Sequence, residues 1–205
     1  MEYTRLGSSG LNISRIALGP MGFGDGKVPF WSWALPWEDA KGYFAQALDL
    51  GINLWDTSNV YGAGSPEEIV GRALAKTRRD DVVLTKVHQK VGDGPGGEGL
   101  SRKAIMEQID LSLARLGTDY VDLYQIHRFD PHTPVEETME ALHDVVKAGK
   151  ARYIGASSMF AWQFAKCSTQ PSCTRGRRSS RCKTSTTWSS AARSRRCSPC
   201  SGTRA

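Results

Sequence analysis

Apolar positions along the first 160 residues alternate between two periods. Short runs at 16–19 (IALG), 52–56 (INLWD), 81–87 (DVVLTKV), 120–127 (YVDLYQIH) and 151–158 (ARYIGASS) have the length and β-branched or aromatic content of strands. Between them the apolar residues recur at helical spacing. EDAKGYFAQALDLG at 38–51 closes on a Gly in the C-cap position, and SPEEIVGRALAK opens at Ser65 with Pro66 at the first helical position. SRKAIMEQIDLSLARLG runs from Ser101 with Ile105, Ile109, Leu113 and Leu116 on one face and Gly117 beyond its end, and TPVEETMEALHDVVKAGK has Pro134 near its start. Ahead of these, residues 3–16 place two strand-like runs around Gly-Ser-Ser-Gly, the pattern of a hairpin with a four-residue turn. The pattern predicts an N-terminal β-hairpin and five strand–helix units, the fifth helix only begun at Met159.

Regular βα alternation implies a parallel sheet, either open and doubly wound or closed into a (β/α)₈ TIM barrel, and periodicity alone does not choose. The polar residues do. Asp56, Lys86, His127 and Ser157 each follow an apolar run at its C-terminal end, where a barrel assembles its active site. No G-x-G-x-x-G stands between the first strand and its helix; the glycines of GPMGFGDG have other spacings, which lowers the case for a dinucleotide fold of the open type.

The same positions suggest chemistry. A tyrosine is a poor proton donor near neutral pH, with an unperturbed pKa of about 10. A neighbouring ammonium stabilises the phenolate and lowers that value, and a carboxylate keeps the ammonium charged and oriented. Asp56, Tyr61 five residues on, and Lys86 are the types for such a group, and His127 can hydrogen-bond a carbonyl oxygen. The reaction that wants this set is hydride addition to an aldehyde or ketone with Tyr61 as the acid, the hydride coming from a cofactor. Singly, each residue has a structural reading: a capping Asp, a packed Tyr, a solvated Lys, a core or rim His. His88, His132 and His143 are read as structural or solvent-exposed, and Trp31, Trp33 and Trp37 as lining either the substrate mouth or the rim.

Five segments carry a resemblance: YTRLGSSGLNISRIALGPMGFG, GINLWDTSNVYGAGSPEEIVGRAL, VVLTK, SLARLGTDYVDLYQIHRFDP and ALHDVVKAGKARYIGASS. In this order, over residues 1–166, the chain resembles the aldo-keto reductase superfamily. The resemblance implies an eight-fold barrel with its base closed by the hairpin, and NADPH-dependent reduction of a small-molecule carbonyl substrate. It maps the catalytic tetrad onto Asp56, Tyr61, Lys86 and His127. The nicotinamide contacts map onto Pro20 and Met21, onto Asp56, and onto Ser157 and Ser158, where the family commonly has Ser-Asn. A complete relative would continue through strands six to eight and a basic loop for the adenosine 2′-phosphate, so the barrel is expected to be truncated after about five units.

Composition separates residues 167–205 from the rest. The formal charge of +6 is theirs: residues 1–166 hold 18 Lys and Arg against 21 Asp and Glu, and the tail holds nine against none. The tail contains all five cysteines and no Val, Ile, Leu, Met, Phe or Tyr, so it is expected to be disordered. Nothing before it suggests a disulfide framework, a signal peptide or a membrane span, and a cytoplasmic location is the default. Nucleic-acid binding by the basic tail is disfavoured, as is zinc, because a lone Cys197-Ser-Pro-Cys200 pair has no His partner in the tail. A shifted reading frame explains the composition better. Back-translating CSTQPSCTRGRRSSRCKTSTTWS with GC-leaning codons and dropping two bases yields LHPAELHAWTPFVSMQDQYNLV, which resembles the family's sixth-strand segment. Residues from about 167 on are therefore read as out-of-frame, and this chain as weakly active. The alternatives are a non-catalytic nucleotide-binding barrel relative and a basic-tailed binding protein.

Overall fold

The computed structural model describes residues 1–169 apart from Ser8, Arg79 and Pro95. A hairpin of β1 (Tyr3–Arg5) and β2 (Asn12–Ser14) precedes a parallel sheet of β3 (Ala17–Leu18), β4 (Leu54–Asp56), β5 (Val82–Val87), β6 (Val121–Ile126) and β7 (Ala151–Ala156). The connections are α1 (Trp37–Asp49), α2 (Ser65–Leu74), α3 (Arg102–Leu116) and α4 (Val135–Lys147), and α5 (Ala161–Ser168) follows β7. Strand order equals chain order from β3 to β7. A doubly wound sheet reverses its order at a switch point, whereas a barrel wall does not. The unbroken order is that of five consecutive units of a barrel.

Local chemistry explains the boundaries. Ser101 caps α3, its hydroxyl oxygen accepting from the Ala104 N–H at 3.2 Å, and Gly117 ends the helix in the left-handed conformation at φ 63°. At α2 the expected cap shifts by one residue. Gly64 is the N-cap and Ser65 already lies in the helix, where its hydroxyl donates to the Gly62 carbonyl at 3.0 Å. The observed strands are shorter than the apolar runs: β6 and β7 lose the polar residues that end their runs, His127 and Ser157–Ser158, to the loops, whereas β4 and β5 start later than their runs and keep Asp56 and Lys86 in the ladder.

Burial falls into two layers. Outside the sheet, Trp55, Val83, Val87, Tyr124, Ile126, Ile154 and Ala156 pack against the helices, with Phe44 of α1 stacked on Trp55 at 5.5 Å between ring centres. On the other face, Val82, Leu84 and Leu123 pack with Leu6 and Ile13 of the hairpin, joined by Leu54 and Tyr153. The hairpin thus covers the lower end of the inner face. Since β5 and β6 are buried on both faces, they read as continuous apolar runs rather than as alternation.

The composition break after Lys166 falls inside α5, and Cys167 is buried beside Leu100, Ile126, Phe129 and Val135. The disorder expected for the tail concerns residues that, from Gln170 on, lie outside the described ones. Among the described residues, no helix is long and apolar enough to cross a membrane, and no cluster of His, Cys, Asp or Glu could hold a metal ion.

The α2–α3 contact closes on Gly71, where an added Cβ would lie 2.4 Å from the Leu116 carbonyl oxygen. Backbone cannot give way as a side chain can, so Gly71→Ala must push the helices apart. The expected loss is about 1–3 kcal/mol in urea unfolding, and an unchanged midpoint would contradict this packing.

Candidate active site

The pleat of the sheet decides which side chains meet. Leu54, Leu84, Leu123 and Tyr153 belong to the inner layer, so residues two further along the same strands share that face. This puts Asp56, Lys86, Gln125 and Gly155 above the apolar layer, and the register pairs Lys86 with Gln125 and Gln125 with Gly155. Gly155 leaves room there for the Gln125 side chain, whose Cγ would stand 3.1 Å from a Cβ. The next inward positions, just past the strands, are Ser58, His88, His127 and Ser157. Apolar below and polar above, the inner face changes character at the C-terminal ends of the strands.

Lys86 is nearly fully buried, far more so than its partner Asp56. Its side chain is 6% exposed, and Nζ donates to Asp56 Oδ1 and, at 2.8 Å, to the Thr57 carbonyl. Burial pushes its pKa below the usual lysine value, and the Asp56 carboxylate pulls it back toward the charged form. Asp56 itself is 43% exposed, which leaves it open to the space above the strands.

Tyr61 starts a 3₁₀ turn, Tyr61–Gly64, whose last three residues all have left-handed backbone: Gly62 at φ 49°, Ala63 at 55° and Gly64 at 98°. Two glycines make this affordable, and the turn carries the tyrosine ring back over Lys86, with Nζ 5.4 Å from the ring centre. The ring meets His127 edge to face, 5.7 Å between centres at 85°. The sequence suggests a phenol whose pKa is lowered by the ammonium; the structure has it raised. Burial is the main cause and the Asp56 charge adds to it, opposed by Arg128. Lys86 spends its charge on Asp56, so the resting phenol is held neutral.

His127 follows β6 and donates its backbone N–H to the Val87 carbonyl at 2.9 Å. Its Nδ1 lies 3.1 Å from the Ser58 hydroxyl. With that hydroxyl donating to Nδ1, the proton of the neutral ring sits on Nε2. Burial first, then the positive charges of Lys86, Arg128 and His88, lower the imidazole pKa to about 4.

Behind the Tyr61 turn stands a buried network that sequence reading misses. Glu67, fully buried in the first turn of α2, accepts from the Thr85 hydroxyl at 2.6 Å and from Arg115 Nε at 2.6 Å. The Arg115 side chain lies against Gly64, where a Cβ would be 2.5 Å from its Cδ. In the sequence, Glu67 looks like any acidic residue at a helix N-terminus and Arg115 like a solvated residue in a last turn. Ser58 was legible only as the next inward position after Asp56. Asn59, also buried, donates to Gln108 Oε1 at 3.3 Å, and Gln108 Nε2 donates to the Gly96 carbonyl at 3.0 Å, which ties two site loops to α3.

The remaining candidates divide. Pro20 is buried and Met21 exposed in a 3₁₀ turn (Pro20–Gly22) at the end of β3, the strand beside Asp56. Ser157 donates its N–H to the Ile126 carbonyl at 2.7 Å, its hydroxyl is 3.2 Å from that of Ser158, and Ser158 is left-handed at φ 46°. His88 is half-buried, not simply exposed, at a strained φ of 145° with its buried Nδ1 unpartnered. Of the tryptophans, Trp31 touches Tyr61 at 5.7 Å, Trp33 is exposed beside it, and Trp37 stands apart in α1 under the Arg72 guanidinium at 4.3 Å.

Consecutive parallel strands with the polar groups gathered at their C-terminal ends define a barrel-type α/β protein. Residues 15–182 match the model of the Aldo/keto reductase family, whose architecture is the (β/α)₈ barrel, and the chain belongs to that family. It is 47% identical over 185 residues to the versiconal hemiacetal acetate reductase of Aspergillus parasiticus, covering 80% of this chain and 53% of that protein. To the aldo-keto reductase AMT2 of Alternaria alternata it is 44% identical over 190 residues, 80% of this chain and 51% of the other. To a putative aryl-alcohol dehydrogenase of Schizosaccharomyces pombe the identity is 42% over 190 residues, with 79% and 53% covered. The chain spans about half the length of the curated relatives it matches.

Arg115→Ala would strand the Glu67 carboxylate without a cation in a fully buried site. It should cost about 3–5 kcal/mol in urea unfolding, and a loss under 1 kcal/mol would contradict the network. For His127, an NMR titration should give a midpoint near 4. A midpoint at the ordinary value of about 6.5 would mean that the ring is not buried against Lys86.

Proposed function

We propose that this chain derives from an NADPH-dependent reductase of aldehydes and ketones, with Asp56, Tyr61, Lys86 and His127 as its catalytic residues. The observation that carries this reading is the Tyr61 ring, held between the Lys86 ammonium and the edge of the neutral His127 imidazole. The names of the relatives, a hemiacetal acetate reductase and an aryl-alcohol dehydrogenase, support a carbonyl–alcohol interconversion.

The residues suit a nicotinamide. Ser157 and Ser158 present adjacent hydroxyls able to hydrogen-bond a carboxamide, and Asp56 and the Pro20–Met21 turn flank the same strand ends. A nicotinamide held there supplies the hydride that adds to the carbonyl carbon. The Nε2–H of His127 donates to the carbonyl oxygen and fixes the face presented for attack. As charge develops on that oxygen, the neutral Tyr61 phenol gives it a proton, which completes the alcohol. The phenolate left behind is stabilised by the Lys86 ammonium, which Asp56 keeps charged and in place.

We further propose that residues from about 167 onward are translated out of register, and that the 205-residue polypeptide turns over little substrate. The tail composition supports the first part. For the second, β3 and β7 have an unpaired edge each among the described residues.

The direct experiment follows NADPH oxidation with benzaldehyde. Little turnover is expected from the 205-residue chain and ready turnover from the frame-restored polypeptide, with Tyr61→Phe in the latter losing at least about 100-fold. No oxidation by the restored polypeptide would overturn the reductase reading, and ready oxidation by the 205-residue chain would overturn its predicted weakness. Sequencing the gene through the codons for Lys166 and Cys167 tests the frame; an intact frame with the same tail in related genes would refute it. As pH falls, kcat/KM should stay level through 6.5 and drop only toward about 4, where His127 takes a proton. On the alkaline side, burial lowers the pKa of Lys86 and raises that of Tyr61, so the two ordinary values move toward or past each other and the phenol keeps its proton to higher pH than a free tyrosine.

A further inference from the structure

A chain of side-chain hydrogen bonds runs from His127 to the loop between β5 and α3. Gln108 Nε2, on α3, donates to the Gly96 carbonyl at 3.0 Å, and Asn59 Nδ2 donates to Gln108 Oε1 at 3.3 Å. Asn59 Oδ1 then stands 3.5 Å from the Ser58 oxygen, which is 3.1 Å from His127 Nδ1. The loop end is pinned beside Gly96, where the Val91 N–H donates to the Gly97 carbonyl at 2.8 Å. Ser58, Asn59 and Gln108 are all buried, so each bond matters more than it would in water.

The far end fixes the direction of the whole chain. A backbone carbonyl can only accept, so the Gln108 carboxamide turns its nitrogen to Gly96 and its oxygen to Asn59. The Asn59 carboxamide is oriented in turn, nitrogen to Gln108 and oxygen to Ser58. The Ser58 hydroxyl therefore has an acceptor on each side and a single proton to give. At 3.5 Å the Asn59 oxygen is too far for a full bond, so the proton goes to His127 Nδ1. Protonation of the ring uses the second acceptor: Nδ1–H then donates to the Ser58 oxygen, and the hydroxyl swings to Asn59 Oδ1. Lys86, Arg128 and His88 oppose that protonation by their charge, and the Tyr61 ring stands edge to face against the imidazole. In both states Nδ1 keeps the same partner, and the ring has no reason to turn.

We infer that Ser58 is a positioning residue whose hydroxyl, moving between His127 Nδ1 and Asn59 Oδ1, holds the imidazole in one orientation and keeps a proton on Nε2 whatever the state of Nδ1. Nε2 is thereby always a hydrogen-bond donor. The use of that donor on a carbonyl oxygen rests on the proposed reductase function; the lock on the ring does not.

Nitrogen-15 NMR of the 205-residue chain, labelled at histidine and with His127→Asn to assign the signals, reads the two ring nitrogens directly. At neutral pH His127 should show one tautomer, protonated on Nε2. In Ser58→Ala the tautomer ratio should shift toward Nδ1–H by about three- to tenfold, the worth of one neutral hydrogen bond, so that both forms are seen. Ser58→Thr returns the hydroxyl and should restore the single tautomer, which separates the bond from a general loosening of the site. In Asn59→Leu the neutral tautomer should stay the same, while the proton affinity of the ring falls by about three- to tenfold, because the hydroxyl has lost its second acceptor. A single Nε2–H tautomer in Ser58→Ala, a mixture that persists in Ser58→Thr, an Nδ1–H tautomer in the unchanged chain, or an Asn59→Leu ring that protonates as readily as before would each overturn the inference. None of these measurements needs turnover, so the lock and the reductase reading fail separately.

Discussion

An ammonium taken out of water must keep a carboxylate beside it, and the arrangement of this protein's inner face follows from that demand at Lys86. With its side chain 6% exposed, Lys86 holds Asp56 and the Thr57 carbonyl, and thereby fixes the end of β4 against the end of β5. Tyr61 then lies over the charge because the turn after β4 has nowhere else to go: its left-handed residues double back, and Arg115 fills the space under Gly64. The same buried charge acts across to β6, where it helps to keep His127 neutral. Three strands and one turn are thus coupled through a single group.

That coupling separates two jobs that a sequence reading merges. Lys86 was expected to make Tyr61 more acidic at rest. Its charge is instead committed to Asp56, and burial makes the phenol less acidic, so the proton is retained at rest; under the proposed function it passes only to an oxygen with alkoxide character. A proton donor that is neutral at rest and stabilised once ionised is suited to reduction near neutral pH. The Glu67–Arg115–Thr85 network serves the same end from behind, as a second buried ion pair that holds the turn rather than the reacting groups.

Much of this was legible in the chain. The alternation of periods located five strands and five helices, because strand runs and amphipathic helices differ in period and their ends carry Gly, Ser and Pro. Strand-end polar residues identified Asp56, Lys86 and His127, since the pleat puts every second residue on one face. What stayed hidden was set by distant packing. Glu67 and Arg115 are 48 positions apart, and nothing local distinguishes a buried carboxylate at a helix start from an exposed one. The direction of the Tyr61 shift depends on burial, and the surroundings of Trp31 and Trp37 differ only because one is carried by a loop and the other by a helix. The composition break after Lys166 was plain, yet α5 runs through it to Ser168 with Cys167 buried, so the change in sequence is not a change of element.

The central claim is that Lys86 and Tyr61 form one coupled acid, and titration of the Tyr61 phenol tests it directly. An ultraviolet difference titration, with Tyr61→Phe as the blank, should place its midpoint above the ordinary value of 10.0. In Lys86→Met, which removes the charge with a buried side chain of nearly the same length, the midpoint should rise further, because the phenolate loses the ammonium under its ring and faces an Asp56 carboxylate that is no longer paired. A midpoint that stays the same or falls in Lys86→Met would show that the ammonium does not act on the tyrosine, and would contradict the account.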